Sequence, residues 1–212
     1  MRNKLHILIA TLFAALSLSC CTGGISEKTN ISSAESTVIP EPEYEEQEDC
    51  SGQLGKHSCN FELSDQYGNR WELYDHYGDI IVLDFSTVWC GVCQYVAQDI
   101  DLYAEGYKDK GVIWVTVLLQ DLQGLPVSPD EALEWATVFK ITNAPVLAGD
   151  VSLALPDEKG SFPISVMPTF VVIDRDMVVS YVMDGWNESR LINHLNGMLA
   201  AEGSGKGFNP GR

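Results

Sequence analysis

The chain has 212 residues, 45% of them apolar, enough for one well-buried α/β domain with appendages. Its 30 acidic and 13 basic side chains leave a formal net charge of -17. That charge opposes the phosphate backbone of nucleic acid, and no basic stretch with interleaved aromatics offsets it, so nucleic acid is excluded as an expected partner.

At the start, Arg2 and Lys4 precede "LHILIATLFAALSLS", too short a run for a membrane span and ending in small residues, as a secretory signal does. The run stops at Cys20-Cys21, and a cysteine there resembles the lipobox of bacterial lipoproteins, in which it becomes the lipid-modified first residue. Ser19 favours Cys20 as the anchor. Cys21 is the alternative, with Leu18 at the favoured third position back, and cleavage before it would leave one lipidated cysteine and two even pairs. An ordinary cleaved signal with incidental cysteines is the plainer reading. The expected organisation is a signal over residues 1–20, a tether over 21–49, a domain over 50–201 and a tail over 202–212. The tether has no basic residue after Lys28 and ends in "EPEYEEQED", so it cannot bury enough apolar surface to offset its conformational entropy. As a disordered spacer it would reach about 30 Å. The glycine-rich tail is expected to be disordered as well.

Within the domain, "FELSD" and "RWELYD" flank Gln66-Tyr67-Gly68-Asn69 and predict a β-hairpin. "DIIVLDFS" and "VIWVTVLL" are continuous apolar runs, as in strands buried on both faces. Val96, Ile100, Tyr103 and Tyr107 recur between them at helical spacing, which completes a β-α-β unit. Ser128-Pro129-Asp130-Glu131 signals a capped helix running to about Ile141. "APVLAGD" predicts a short strand. "TFVVID" and "MVVSYVM" predict a hairpin around Asp174-Arg175-Asp176, and Asn187 can cap a last helix with Leu191, Ile192, Leu195, Met198 and Leu199 on one face. There is no internal repeat.

Cys90-Gly91-Val92-Cys93 sits where the first buried strand meets its helix, the carboxyl end at which α/β sheets place their sites. Three readings compete. A zinc site needs two more ligands, yet there is no second CxxC or HxxxH, Cys50 and Cys59 lie in another segment, and His6, His57, His76 and His194 are scattered. A structural bridge gains little from so short a loop. A redox dithiol fits best, because unpaired N–H groups at a helix start favour a thiolate and one helical turn brings both sulfurs to one face. No metal and no cofactor is expected.

"VLDFSTVWCGVC", with Trp89 before the first cysteine and Asp84 upstream, resembles the active-site segment of thioredoxin-fold proteins. "SVMPTF" places Pro168 where that family carries a cis-proline facing the dithiol. The resemblance spans about Cys59 to Ala201. The N-terminal hairpin, a helix-plus-strand insertion and the anchor narrow it to the TlpA/ResA-like extracytoplasmic branch of the redoxins, lipoprotein type. Two departures are Val92, where thioredoxin has proline between the cysteines, and Gln98, where it has a helix-kinking proline.

The resemblance implies an α/β thioredoxin-like fold and a thiol-disulfide oxidoreductase, on balance a reductase of protein disulfides. Cys90 would be the nucleophile and Cys93 the resolving thiol. Asp84, a carboxylate inside an apolar strand, should have a raised pKa and help move the proton of Cys93; its plainer reading is a capped or edge Asp. Trp89, Met167 and Pro168 would contact substrate. Implied partners are protein disulfides and an upstream electron donor such as a membrane thiol reductase, with a monomer lipid-anchored in the cell envelope and its domain outside the cytoplasm. Cys50 and Cys59, close in an exported chain, are expected to form a structural disulfide, with a second redox relay as the alternative.

Rival functions are carried too. Thr87-Val88-Trp89-Cys90 fits the TxxC part of a peroxiredoxin motif, but Leu83 occupies the place of its proline. A Sco-type copper chaperone would need three residues between its cysteines and a downstream histidine near the sheet, where this chain has only His194 in its last helix. A non-catalytic surface lipoprotein on the same fold would not turn over a model disulfide.

Overall fold

The computed structural model describes residues 48–156 and 158–203. The expected signal, the candidate anchors Cys20 and Cys21, the tether up to residue 47 and the tail from residue 204 lie outside the described residues. No helix among the described residues is long and apolar enough to cross a membrane.

Among the described residues seven strands form one mixed sheet: β1 Glu62–Asp65, β2 Arg70–Glu72, β3 Ile80–Ser86, β4 Val112–Leu118, β5 Val146–Ala148, β6 Thr169–Ile173 and β7 Val179–Asp184, in the order β2-β1-β5-β4-β3-β6-β7. Four α-helices of the described residues accompany it: α1 Gly91–Ala97, α2 Ile100–Lys108, α3 Pro129–Phe139 and α4 Glu188–Gly203. β3 runs parallel to β4 and antiparallel to β6. Paired on both edges and covered on both faces, it is buried at every position, and this is why its sequence is continuously apolar rather than alternating. Burying Ile80, Ile81, Val82, Leu83 and Phe85 contributes roughly 1.5–3 kcal/mol each.

β3, β4 and β5 are adjacent, and their two crossovers advance the same way across the sheet. Right-handed crossovers of that kind put both helical connections on one face. The packing agrees: Val82, Val96, Ile100, Trp114, Trp135 and Leu195 belong to one core cluster. On the opposite face Ile81, Leu83 and Phe85 pack with Trp71, Phe162 and Met177, under a 3-10 turn at Leu73–His76. The β1–β2 hairpin extends the sheet through β5, where the buried Gln66 side chain accepts from Val146 N at 2.8 Å and donates to Ala144 O.

Three elements differ from the expected ones. The single helix after β3 is two, because α1 stops at Gln98 and α2 restarts after Asp99. Both junction residues keep right-handed helical dihedrals, so the apolar phase carries across and the pattern of Val96 and Ile100 does not register the break. α3 begins with the expected Ser128 capping box but ends at Phe139, because Lys140 turns left-handed (φ 57°) and Ile141 N returns to Ala136 O. α4 is capped by Asn187 Oδ1, which accepts from Arg190 N at 3.0 Å, and runs on to Gly203. Its end is held by Glu202, which pairs with Arg175; that guanidinium also donates to the carbonyls of Gly78, Lys110 and Gly111.

Candidate active site

β3 delivers the chain through Thr87, Val88 and Trp89 to Cys90, the N-cap of α1. Cys90 Sγ accepts from Cys93 N at 3.1 Å, an N–H that has no partner within the first turn of a helix. The two cysteines are closed into a disulfide with Cα atoms 5.2 Å apart. Their surroundings differ. Cys90 is 8% exposed at the rim, whereas Cys93 is 0% exposed beneath it. An external sulfur can therefore meet Cys90, and Cys93 can be reached only from within the pair.

Asp84 lies on β3 two residues before Ser86. By strand alternation it faces the side of Ile80 and Val82, the helix-bearing side on which Cys93 is buried. It is 1% exposed, and Ser86 Oγ donates to Oδ1 at 2.7 Å while Thr116 Oγ1, its register partner on β4, donates to Oδ2 at 3.4 Å. Burial pushes the carboxyl up to about 7, against the smaller lowering effect of the two hydroxyls. A group with that value exchanges a proton near neutrality.

A cleft of about 320 Å³ opens beside Cys90, lined by Trp89, Gln120, Ile164, Ser165, Val166 and Met167. Trp89 is 52% exposed, too open to be core packing alone. The Met167–Pro168 peptide is cis. Met167 lines the cleft, while Pro168 is buried behind it with its carbonyl accepting from Gly185 N. Gln120 and the stretch from Ile164 to Val166 were not singled out from the sequence. Their only signal was position, after β4 and just ahead of "MPTF".

Cys50 and Cys59 form a second disulfide, with Cα atoms 4.8 Å apart, and neither lines the cleft. His57, between them in the chain, pairs its backbone with Val178, while His76 stacks on Trp71 and His194 stacks on Tyr181. Among the described residues no three His, Cys, Asp or Glu side chains gather as a metal site would require.

A family model described as the AhpC/TSA family matches residues 54–182. The thiol-disulfide oxidoreductase ResA of Bacillus cereus is 26% identical over 149 residues, covering 68% of this chain and 77% of that protein. The crystal structure of a putative thiol:disulfide interchange protein DsbE from Chlorobium tepidum superposes with a TM-score of 0.54 at 25% identity, over 71% of this chain and 99% of the other. The exposed lipoprotein thioredoxin Etrx1 of Streptococcus pneumoniae gives 0.55 at 23% identity, over 65% and 98%. The sheet and the helices are thus those of a thioredoxin-like fold.

Proposed function

Because the chain belongs to the AhpC/TSA family and is a thiol-disulfide oxidoreductase of its TlpA/ResA-like kind, we propose that it reduces protein disulfides from a lipid anchor in the cell envelope. The observation that carries the catalytic part is the contrast between rim-exposed Cys90 and fully buried Cys93, on the face of the sheet that also buries the Asp84 carboxyl. In the reduced enzyme the Cys90 thiolate attacks one sulfur of the substrate disulfide. A mixed disulfide forms and one substrate thiolate leaves. Cys93, losing its proton toward Asp84, then attacks Cys90 Sγ, forms the Cys90–Cys93 disulfide and releases the second substrate thiolate. Two electrons pass to the substrate, which takes up two protons, and a dithiol donor upstream restores the enzyme. Trp89 and Met167 position the incoming polypeptide. The anchor is supported by the sequence at Cys20 and Cys21, and the reducing direction by the resemblance to the TlpA/ResA-like branch.

The test removes the resolving thiol. Cys93→Ser has no internal exit from the mixed disulfide and should accumulate reductant-sensitive adducts with substrate proteins on a non-reducing gel, whereas Cys90→Ser should form few and be inactive. Equal trapping by both variants, or by neither, sinks the assigned roles. A peroxidase would instead keep consuming peroxide through Cys90 with external thiol. Peroxide consumption by Cys93→Ser therefore separates the two activities.

A further inference from the structure

Ile164 and Ser165, at one side of the cleft beside Cys90, also face a neighbouring depression. The same two residues, with Gln53, Ala154, Pro156 and Ser161, line a second open groove of about 400 Å³. The segment from Ser161 to Met167 therefore separates and joins two depressions, one at the dithiol and one leading away from it.

Gln53, which lines the second groove, belongs to the Cys50–Cys59 loop. Gly52 N donates to Ser161 O at 3.1 Å, and the two backbones are so close that a Cβ on Gly52 would lie 2.5 Å from Ser161 O and 2.6 Å from Phe162 Cα. Gly160, at φ 83°, passes directly over Cys59, where a Cβ would lie 2.8 Å from the Cys59 Cβ. Only glycine permits either approach. The second disulfide thus closes a loop that packs against the segment walling the active-site cleft.

Resting on the oxidoreductase reading above, we infer that the second groove is a remote subsite for the polypeptide flanking a substrate's disulfide, so that the enzyme reads an extended segment rather than a cysteine pair alone. Because Ile164 and Ser165 line both depressions, the occupant we assign is the same chain that presents its disulfide to Cys90. Gln53 is exposed and its amide offers both a donor and an acceptor, the complement of a peptide group. Ala154, Pro156 and Ile164 supply apolar contact.

Two disulfides of the same central chemistry test this: oxidised glutathione, and a neutral peptide disulfide extended by several residues on both sides. A fluorescently labelled copy of the peptide with serine in place of cysteine reports binding without chemistry. The wild-type enzyme should show a kcat/KM about tenfold higher for the extended substrate, corresponding to about 1.4 kcal/mol. Gln53→Trp, which places bulk in the groove from an exposed position, should bring that ratio close to one, and Gln53→Ala should lower it several-fold. The labelled serine peptide should bind the wild type and be lost with Gln53→Trp. Equal kcat/KM for the two substrates in the wild type, or an unchanged ratio in Gln53→Trp, would overturn the inference. Binding of the serine peptide that depends on Gln53, with no disulfide reduced by the wild type, would retain the groove and overturn the oxidoreductase reading instead.

Discussion

Asp84 is the residue whose environment does most to set the chemistry. Burial holds its carboxyl at about 7, while in the unfolded chain an Asp titrates near ~3.9. Between those values the folded protein keeps a proton that the unfolded chain releases, so stability falls as pH rises from about 4 and levels off above about 7. The loss is on the order of 4 kcal/mol for a shift of this size. Asp84→Asn removes this dependence, and chemical denaturation at pH 8 should find the variant more stable than wild type, with the difference vanishing near pH 4. The same variant should slow decay of the mixed disulfide about 100-fold and delete the inflection near pH 7 from its pH profile. Single-turnover kinetics with a peptide disulfide check both; an unchanged profile would leave Asp84 with a packing role only. The sequence offered Asp84 as a lone carboxylate in an apolar run. Its Thr116 donor could not be read there, because Thr116 reaches it only through the register of β3 against β4.

At the scale of elements, the Cys50–Cys59 loop behaves as a clasp. It donates from Gly52 to Ser161, from Ser58 to Met177 and from Gly55 to Val179, and accepts from Val179 at Lys56. Cross-linking residues at a sequence separation of 9 removes loop-closure entropy from the unfolded chain worth about 2.5–3 kcal/mol. Cys50→Ala with Cys59→Ala should lower stability by about that amount in chemical denaturation while oxidised glutathione is still reduced. Unchanged stability with lost turnover would identify a relay. The hairpin, the β-α-β unit and the α3 cap were legible because each depends on neighbours in sequence: alternation, helical spacing and a Ser three residues before a Glu. The break between α1 and α2 was not legible, since no proline or glycine marks Gln98 and Asp99 and the apolar phase continues through them.

For the whole molecule, the proposal joins an envelope anchor, a spacer and a redox domain. Mass spectrometry of the mature protein should find a diacylglyceryl cysteine at Cys20 or Cys21, and replacing both by serine should release the protein from membranes. A mature N-terminus at another position, with both thiols free, would remove the anchor. Acidic charge dominates the chain, and with -17 overall the enzyme's encounters with cationic partners should slow as salt is raised, the ordinary mark of electrostatic steering.

The sequence by itself determined the class of chemistry and the outline of the fold. A CxxC at a strand-to-helix junction, two continuous apolar strands and a later hairpin followed by an amphipathic helix are local patterns, and local patterns survive in one dimension. Tertiary structure alone decided what meets the dithiol. It buried Cys93 beneath Cys90, turned Asp84 toward the helix-bearing face, brought Gln120 and Ile164–Val166 to the cleft, and set the Cys50–Cys59 loop against Ser161. The last two join segments distant in the chain, and their proximity follows from strand order and close packing across the sheet, which no spacing of residues records.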